Sequence, residues 1–278
     1  MSQAIITSRD NKLFRQWVSL QTAKGIERHG LALVSGRKIV PELLAEMGGK
    51  GATLVTREGD SSHPPSLWEG ARGRDAAVEQ SPAPQAPTPT LPQRGRGQEA
   101  QMVRLSRALF AELDEFGTGA PLLVVPVPRI DPYTEERKPI GLALAVAAQD
   151  PGNLGAILRC ALAFEASQVL LLRESAHPFL PRVTRAASGA NFQVPLLHGP
   201  SVGEIPDDWI ALDTEGEPID GFEFSKDCRL LLGEEGLGIP DGFAGRRLKI
   251  PISRRAESLN VAVAAGVALA AYRRRHPL

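Results

Sequence analysis

CRLLLGEEGLGIP (Cys228–Pro240) and, shortly after it, RRLKIPISRRAESLNVAVAAGVALAAYRRR (Arg246–Arg275) carry the densest chemical information in the chain. The apolar run Leu230–Leu232 has the length and flanks of a buried parallel strand. It runs into Gly233-Glu234-Glu235-Gly236-Leu237-Gly238, a loop whose glycines let backbone come close to a ligand. A second short strand is expected over 248–252. Ser258-Leu259-Asn260 then open a long Ala/Val-rich helix, which closes on Arg273, Arg274 and Arg275, cations suited to a helix C-terminus. Two strand exits therefore lie close in sequence, and in open α/β sheets such exits hold ligands. A glycine-rich loop alone reads equally well as an ordinary β–α turn. The same chain also contains Asp150-Pro-Gly-Asn-Leu-Gly-Ala-Ile-Leu-Arg159, and that combination is specific.

Working outward, the apolar segment 141–148 predicts a buried strand and 154–164 a helix, followed by a strand over 167–172 and a short helix over 181–187. Strands over 192–197 and 209–212 precede the acidic loop Asp213-Thr214-Glu215-Gly216. Strands alternating with helices predict a parallel sheet covered on both faces. This second domain is expected over 140–278, behind a proline-punctuated polar linker at 126–139.

Residues 1–125 predict a small α/β domain. Ser8-Arg9-Asp10-Asn11 resembles a helix start, and 12–22 has helical spacing through Leu13, Trp17 and Leu20. Strands are expected over 31–34, 52–56 and 121–127, with helices over 38–47 and 104–116. Arg9, Lys12, Arg15, Lys24, Arg28 and Lys38 make the first part basic, either as a solvated face or as a surface contacting nucleic-acid phosphates. Nothing in this domain looks catalytic.

Residues 58–100 interrupt it with Pro, Gly, Ser, Gln and Arg. SPAPQAPTPTLPQ cannot bury enough apolar surface to offset chain entropy, so a disordered insert is expected. Codons exist for Pro65–Gly70 whose reverse complement encodes Thr90-Leu-Pro-Gln-Arg-Gly95. A palindromic element inserted in frame accounts for this, and the gene should then carry a hairpin-forming inverted repeat. No role in the chemistry is assigned to it.

The bulk composition sets the remaining bounds. Lys+Arg and Asp+Glu are both 32, so net charge alone names no partner. Cys160 and Cys228 lie inside apolar elements without metal-ligand spacing, which points to neither a disulfide framework nor a metal site. No apolar run approaches the roughly 20 residues of a membrane span, and the first residues lack a secretory core. These features predict a soluble cytoplasmic protein.

The motifs Asn153-Leu-Gly-Ala-Ile-Leu-Arg159, Gly233-Glu-Glu-Gly-Leu-Gly238, and Ile250-Pro251 with Ser258-Leu259-Asn260 resemble, in order and spacing, the SpoU-type (TrmH-like) RNA 2′-O-ribose methyltransferases of the SPOUT superfamily. Arg185-Ala-Ala-Ser-Gly-Ala190 resembles a linking segment of the same family, and the N-terminal domain resembles the small substrate-binding domain often fused ahead of it. The resemblance implies a deep trefoil knot in the C-terminal parallel-sheet domain, bound S-adenosylmethionine and a homodimer whose active site uses both subunits. It also implies an RNA partner contacted by the N-terminal domain, with Arg9, Lys12 and Arg28 as candidate contacts. Gly233, Ile250 and Leu259 would hold the cofactor. Arg159, Asn153, Glu235, Ser258 and Asn260 would form the polar catalytic set. Two departures stand out: Ile252-Ser253-Arg254-Arg255 follows Ile250-Pro251 where relatives often have Met-Gly, and Ser35 precedes Gly36 where they often have Glu.

These residue types suit the chemistry. The donor is already activated, so protein groups need only align the ribose oxygen and stabilise it as its proton leaves. A fixed guanidinium at Arg159 suits that task better than a role as base. Asn153 and Asn260 can each donate and accept, and Glu235 is expected to fix Arg159 or Asn260. The two-domain layout favours ribosomal over transfer RNA. The alternatives are a catalytically silent knotted RNA-binding protein and a methyltransferase acting on a base or on protein.

Overall fold

Residues 5–60, 100–135 and 139–278 are described by the computed structural model, and the chain divides into two compact units, Met1–Val127 with Phe179–Pro181, and Pro128–Pro178 with Arg182–Leu278. In the first unit, β1 (Ile5–Ile6) leads to α1 (Lys12–Ser19), α2 (Ala23–His29), β2 (Leu31–Ser35), α3 (Ile39–Met47), β3 (Thr53–Arg57), β4 (Gln101–Leu105), α4 (Arg107–Leu113) and β5 (Leu122–Pro126). The sheet order is β1-β4-β3-β5-β2, with β5 antiparallel to both β2 and β3. Phe14, Trp17, Leu33, Val55, Leu105, Phe110 and Leu122 form one buried core.

Local chemistry sets the helix starts. Asn11 Oδ1 accepts from the amides of Leu13 and Phe14 at 2.9 and 3.3 Å and caps α1 as expected. The helix stops at Ser19, earlier than its periodicity suggested, because Thr22 caps a new helix by accepting from Gly25 N. Likewise, the single helix expected over 104–116 is the strand β4 followed by α4, with Ser106 capping the latter. Of the insert expected over 58–100, residues 61–99 lie outside the described residues.

The second unit is a seven-stranded sheet in which every pairing is parallel. Its elements are β6 (Asp131–Pro132), β7 (Leu142–Val146), α5 (Pro151–Ala163), β8 (Gln168–Leu171), α6 (Pro181–Ala187), β9 (Leu196–His198), β10 (Ile210–Pro218), β11 (Cys228–Leu232), β12 (Arg247–Lys249) and α7 (Val261–Arg275). The order is β12-β10-β11-β7-β8-β9-β6. The segment expected as linker thus contributes an edge strand, β6. The strand expected over 192–197 is a 3-10 turn, Ala190–Phe192, followed by the shorter β9. The strand β12 ends at Lys249 rather than 252, as suits Pro251, which has no amide to donate to the ladder.

Helices α5 and α7 pack together and are tied at both ends. Asn260, which caps α7, donates from Nδ2 to Asn153 Oδ1 at 2.8 Å. At the far end Arg273 donates from Nε to Phe164 O at 2.9 Å and from Nη2 to Glu165 O at 3.1 Å. The two helices therefore run in the same direction, and one of the three terminal arginines caps its neighbour's last carbonyls. Gly155 explains how α6 fits against α5: a Cβ there would lie 2.5 Å from Ala186 Cβ and 2.6 Å from Val183 O. Because backbone must move to relieve that overlap, Gly155→Ala is expected to cost about 1–3 kcal/mol, read as a lower midpoint in thermal or denaturant unfolding.

Candidate active site

The strands β10 and β11 are paired up to Leu212↔Leu232, so Asp213 and Gly233 emerge side by side at the C-terminal edge of the sheet. Gly233 is buried, and a Cβ on it would lie 2.5 Å from Gly238 O. The loop can close there only without a side chain. It is held by Glu234 N to Gly238 O at 3.2 Å and Gly238 N to Glu234 O at 2.9 Å. Gly236 has open space where a Cβ would go, so sterics do not require glycine at that position. Leu237, at the tip, is 83% exposed.

The closed loop aims Glu235 at the N-terminus of α5. Its carboxylate accepts from Gln149 N at 3.0 Å, Asp150 N at 3.2 Å and Asn153 Nδ2 at 3.2 Å. Beside it, Gln149 Nε2 donates to Glu234 Oε2 at 2.7 Å. Glu235 was expected to fix Arg159 or Asn260; it takes Asn153 and two backbone amides instead, because a helix N-terminus offers unpaired amides to a carboxylate. Asn153 passes the connection on, donating to Glu235 while accepting from Asn260. Residues from three motifs, far apart in sequence, thus form one chain of hydrogen bonds. Asn260 has two roles at once: its Oδ1 caps α7 and its Nδ2 reaches Asn153.

Partial burial alone pushes the Glu235 carboxyl up, but the Gln149 amide, its own amide, the Asn153 side chain and the Asp150 amide together hold it below its ordinary value. A depressed folded-state pKa stabilises above the unfolded value of about 4.3, and that contribution is lost as pH falls through the folded value. In melts recorded from pH 7 downward, Glu235→Gln is expected to lie below the parent at neutral pH and to approach it under acid conditions.

The remaining candidates sit apart from this network. Ser258 and Leu259 are exposed in the segment preceding α7, and Ile250 is half-buried just after β12. Arg159, two turns along α5 from Asn153, is exposed and makes no hydrogen bond or ion pair among the described residues. In the first unit, Lys12 and Arg28 are exposed on α1 and α2, while Arg9 pairs with Glu112 at 2.8 Å. Sequence reading passed over Asp150 and Gln149. Asp150 accepts from Asn153 N at 2.8 Å as the cap of α5, and its position before Pro151 is a recognisable helix-start signal.

The model of the SpoU rRNA Methylase family matches residues 142–270, the span that contains every element of this network. The chain is also 30% identical over 166 residues to an uncharacterized tRNA/rRNA methyltransferase of Mycoplasma genitalium, covering 68% of that protein. This chain belongs to the SpoU rRNA methylase family. Among SpoU relatives, the 23S rRNA (guanosine(2553)-2′-O)-methyltransferase of Bacillus subtilis is 27% identical over 94% of this chain and 96% of its own. A protein of Syntrophobacter fumaroxidans named ribosomal RNA small subunit methyltransferase G 2 is 37% identical over 97% of this chain. The chain spans only 49% of that relative's length. The AdoMet-bound rRNA methyltransferase of Sinorhizobium meliloti has the same fold, with a TM-score of 0.71, 24% identity, and coverage of 99% of this chain and 98% of that one. The likeness in fold therefore covers residues of both units, whereas the family model matches 142–270 alone. No helix among the described residues is long and apolar enough to cross a membrane.

Proposed function

We propose that this SpoU protein is an S-adenosylmethionine-dependent methyltransferase acting on a ribose 2′-oxygen of structured RNA, with ribosomal RNA preferred over transfer RNA. The observation that carries the reading is the Glu235–Asn153–Asn260 chain of hydrogen bonds, which joins the three motif segments at one end of α5. The preference for ribosomal RNA is supported by the 23S rRNA activity named for the Bacillus subtilis relative, which is similar along nearly its whole length. A silent RNA-holding protein would have no need of that assembled polar set.

Bound S-adenosylmethionine supplies an activated methyl group. Gly233, Ile250 and Leu259 would hold it, a role that fits the close backbone packing at Gly233 and the exposed apolar surface of Leu259. Asn153 and Asn260 orient the ribose, Ser258 contributes a hydroxyl from the same exposed segment, and Glu235 fixes Asn153. Arg159 steadies the 2′-oxygen and its neighbouring phosphate as the proton leaves.

Arg159 reaches this chemistry in a homodimer. Val263 and Val267 are 53% and 39% exposed one turn apart on α7, whereas Ala265, Ala268, Leu269 and Tyr272 of the same helix are buried. A second copy laid against that outer face would cover the valines and bring a guanidinium to a neighbouring ribose. The C-terminal knot belongs to the same proposal. The chain leaves β12 at the sheet edge and must return past β10 and β11 for Asn260 to meet Asn153. Arg9, Lys12 and Arg28 on the N-terminal unit would contact RNA phosphates.

Mass spectrometry of nucleosides from a strain lacking the gene tests this reading. One ribose-methylated nucleoside is expected to disappear from ribosomal RNA. Loss of a base-methylated nucleoside instead contradicts it.

A further inference from the structure

We propose that Arg247 is a positioning residue for the cofactor site, acting as a clasp that holds the three segments around it in one arrangement. This inference rests on the S-adenosylmethionine reading above. Arg247 lies on β12 opposite Ala211, and its side chain is only 24% exposed. Its Nη1 donates to Asp213 Oδ2, its Nη2 to Pro240 O at 2.9 Å and Phe243 O at 3.4 Å, and the guanidinium lies 5.8 Å from the Phe243 ring centroid. One planar group therefore joins the exit of β10, the connection that follows Gly238, and β12, which leads directly into Ile250.

The segment clasped is irregular and needs a tether. Between Leu212 and Glu217 the pairing of β10 with β12 shifts register, so 213–216 leave the ladder beside Gly233. Gly216 lies so close to β12 that a Cβ on it would be 2.3 Å from Arg247 O. Asp213 turns its other oxygen to Thr214 N at 2.6 Å, so the residue that grips Arg247 also shapes the bulge. Lysine can meet the carboxylate but lacks the fork needed to hold two carbonyls at the same time.

Isothermal titration of the full chain with S-adenosylmethionine, with steady-state kinetics on the RNA substrate, tests the clasp. Arg247→Gln is expected to raise Kd and KM for the cofactor tenfold or more, with kcat at saturating cofactor within threefold of the parent. Arg247→Lys should recover part of the loss, and adding Asp213→Asn to Arg247→Gln should change Kd by less than twofold. Should Arg247→Gln not fold, Arg247→Lys carries the test with a three- to tenfold rise. A Kd within twofold of the parent, a loss confined to kcat, or additive effects at the two positions would overturn the clasp. A parent chain that binds no S-adenosylmethionine refutes the proposed function itself, and the clasp with it.

Discussion

Arg159→Ala is expected to lower the rate of methyl transfer by about 10³-fold, as removal of a single preorganised donor from an oxyanion does. Affinity for S-adenosylmethionine should stay within about threefold, well under 1.4 kcal/mol. The split follows from where the side chain sits. Arg159 is exposed on α5 and has no part in the hydrogen-bonded set that ties Glu235 to Asn153 and Asn260, so its removal leaves the strand exits and both helix caps in place. Arg159→Lys should rescue little, because an ammonium cannot present the planar fork that grips an oxygen and a phosphate together. Burst kinetics with labelled donor, beside a binding isotherm, measure both quantities. Parallel loss of binding and rate would reassign Arg159 to the cofactor cleft.

Gly233→Ala is expected to act in the opposite sense, removing cofactor binding first. The added Cβ would meet Gly238 O at 2.5 Å and Ile239 Cδ1 at 2.9 Å, and the first of these is backbone that cannot rotate away. Opening the loop breaks the two hydrogen bonds between Glu234 and Gly238, worth about 1 kcal/mol each. It also draws Glu235 from the amides of Gln149 and Asp150. A loss of about 2–3 kcal/mol corresponds to a Kd raised roughly 30- to 150-fold. Equilibrium dialysis with labelled S-adenosylmethionine reads it directly. Unchanged affinity in the variant would mean that the loop does not shape the cofactor site.

The motif-bearing elements were legible because each carries its own local signal. The apolar run before Gly233 and the Asn260 cap of α7 each pair a periodic segment with a recognisable end, whereas α5, expected only from 154, begins at Pro151 under the Asp150 cap. Other elements had no such signal. The strand β6 is Asp131–Pro132, polar and too short for any pattern, and it exists only because β9 offers it an edge. The helix α2 holds Gly25 in its interior, a residue that ordinarily argues against helix. Here a Cβ would lie 1.9 Å from Ser19 O, so tight packing on the end of α1 demands glycine. The strand β10 runs through Asp213-Thr-Glu-Gly-Glu217, polar enough to pass for a loop.

For the site, residue identities were readable from motif spacing, but their partners were not. Glu235 meets Gln149, Asp150 and Asn153 across more than eighty residues of chain, and no local pattern encodes which of several nearby polar groups it will choose. Arg247 was invisible for the same reason, since a charge in a short strand reads as solvent-facing until the bulge of β10 is seen beside it.

The central claim is that this polar set delivers a methyl group to a sugar oxygen. Incubating the purified chain with ribosomal RNA and S-adenosylmethionine labelled in its methyl group, then digesting the RNA to nucleosides, tests it most directly. The label is predicted to appear in a 2′-O-methylribose nucleoside and to vanish with Arg159→Ala. Label recovered on a base, or transfer undiminished in that variant, would contradict it.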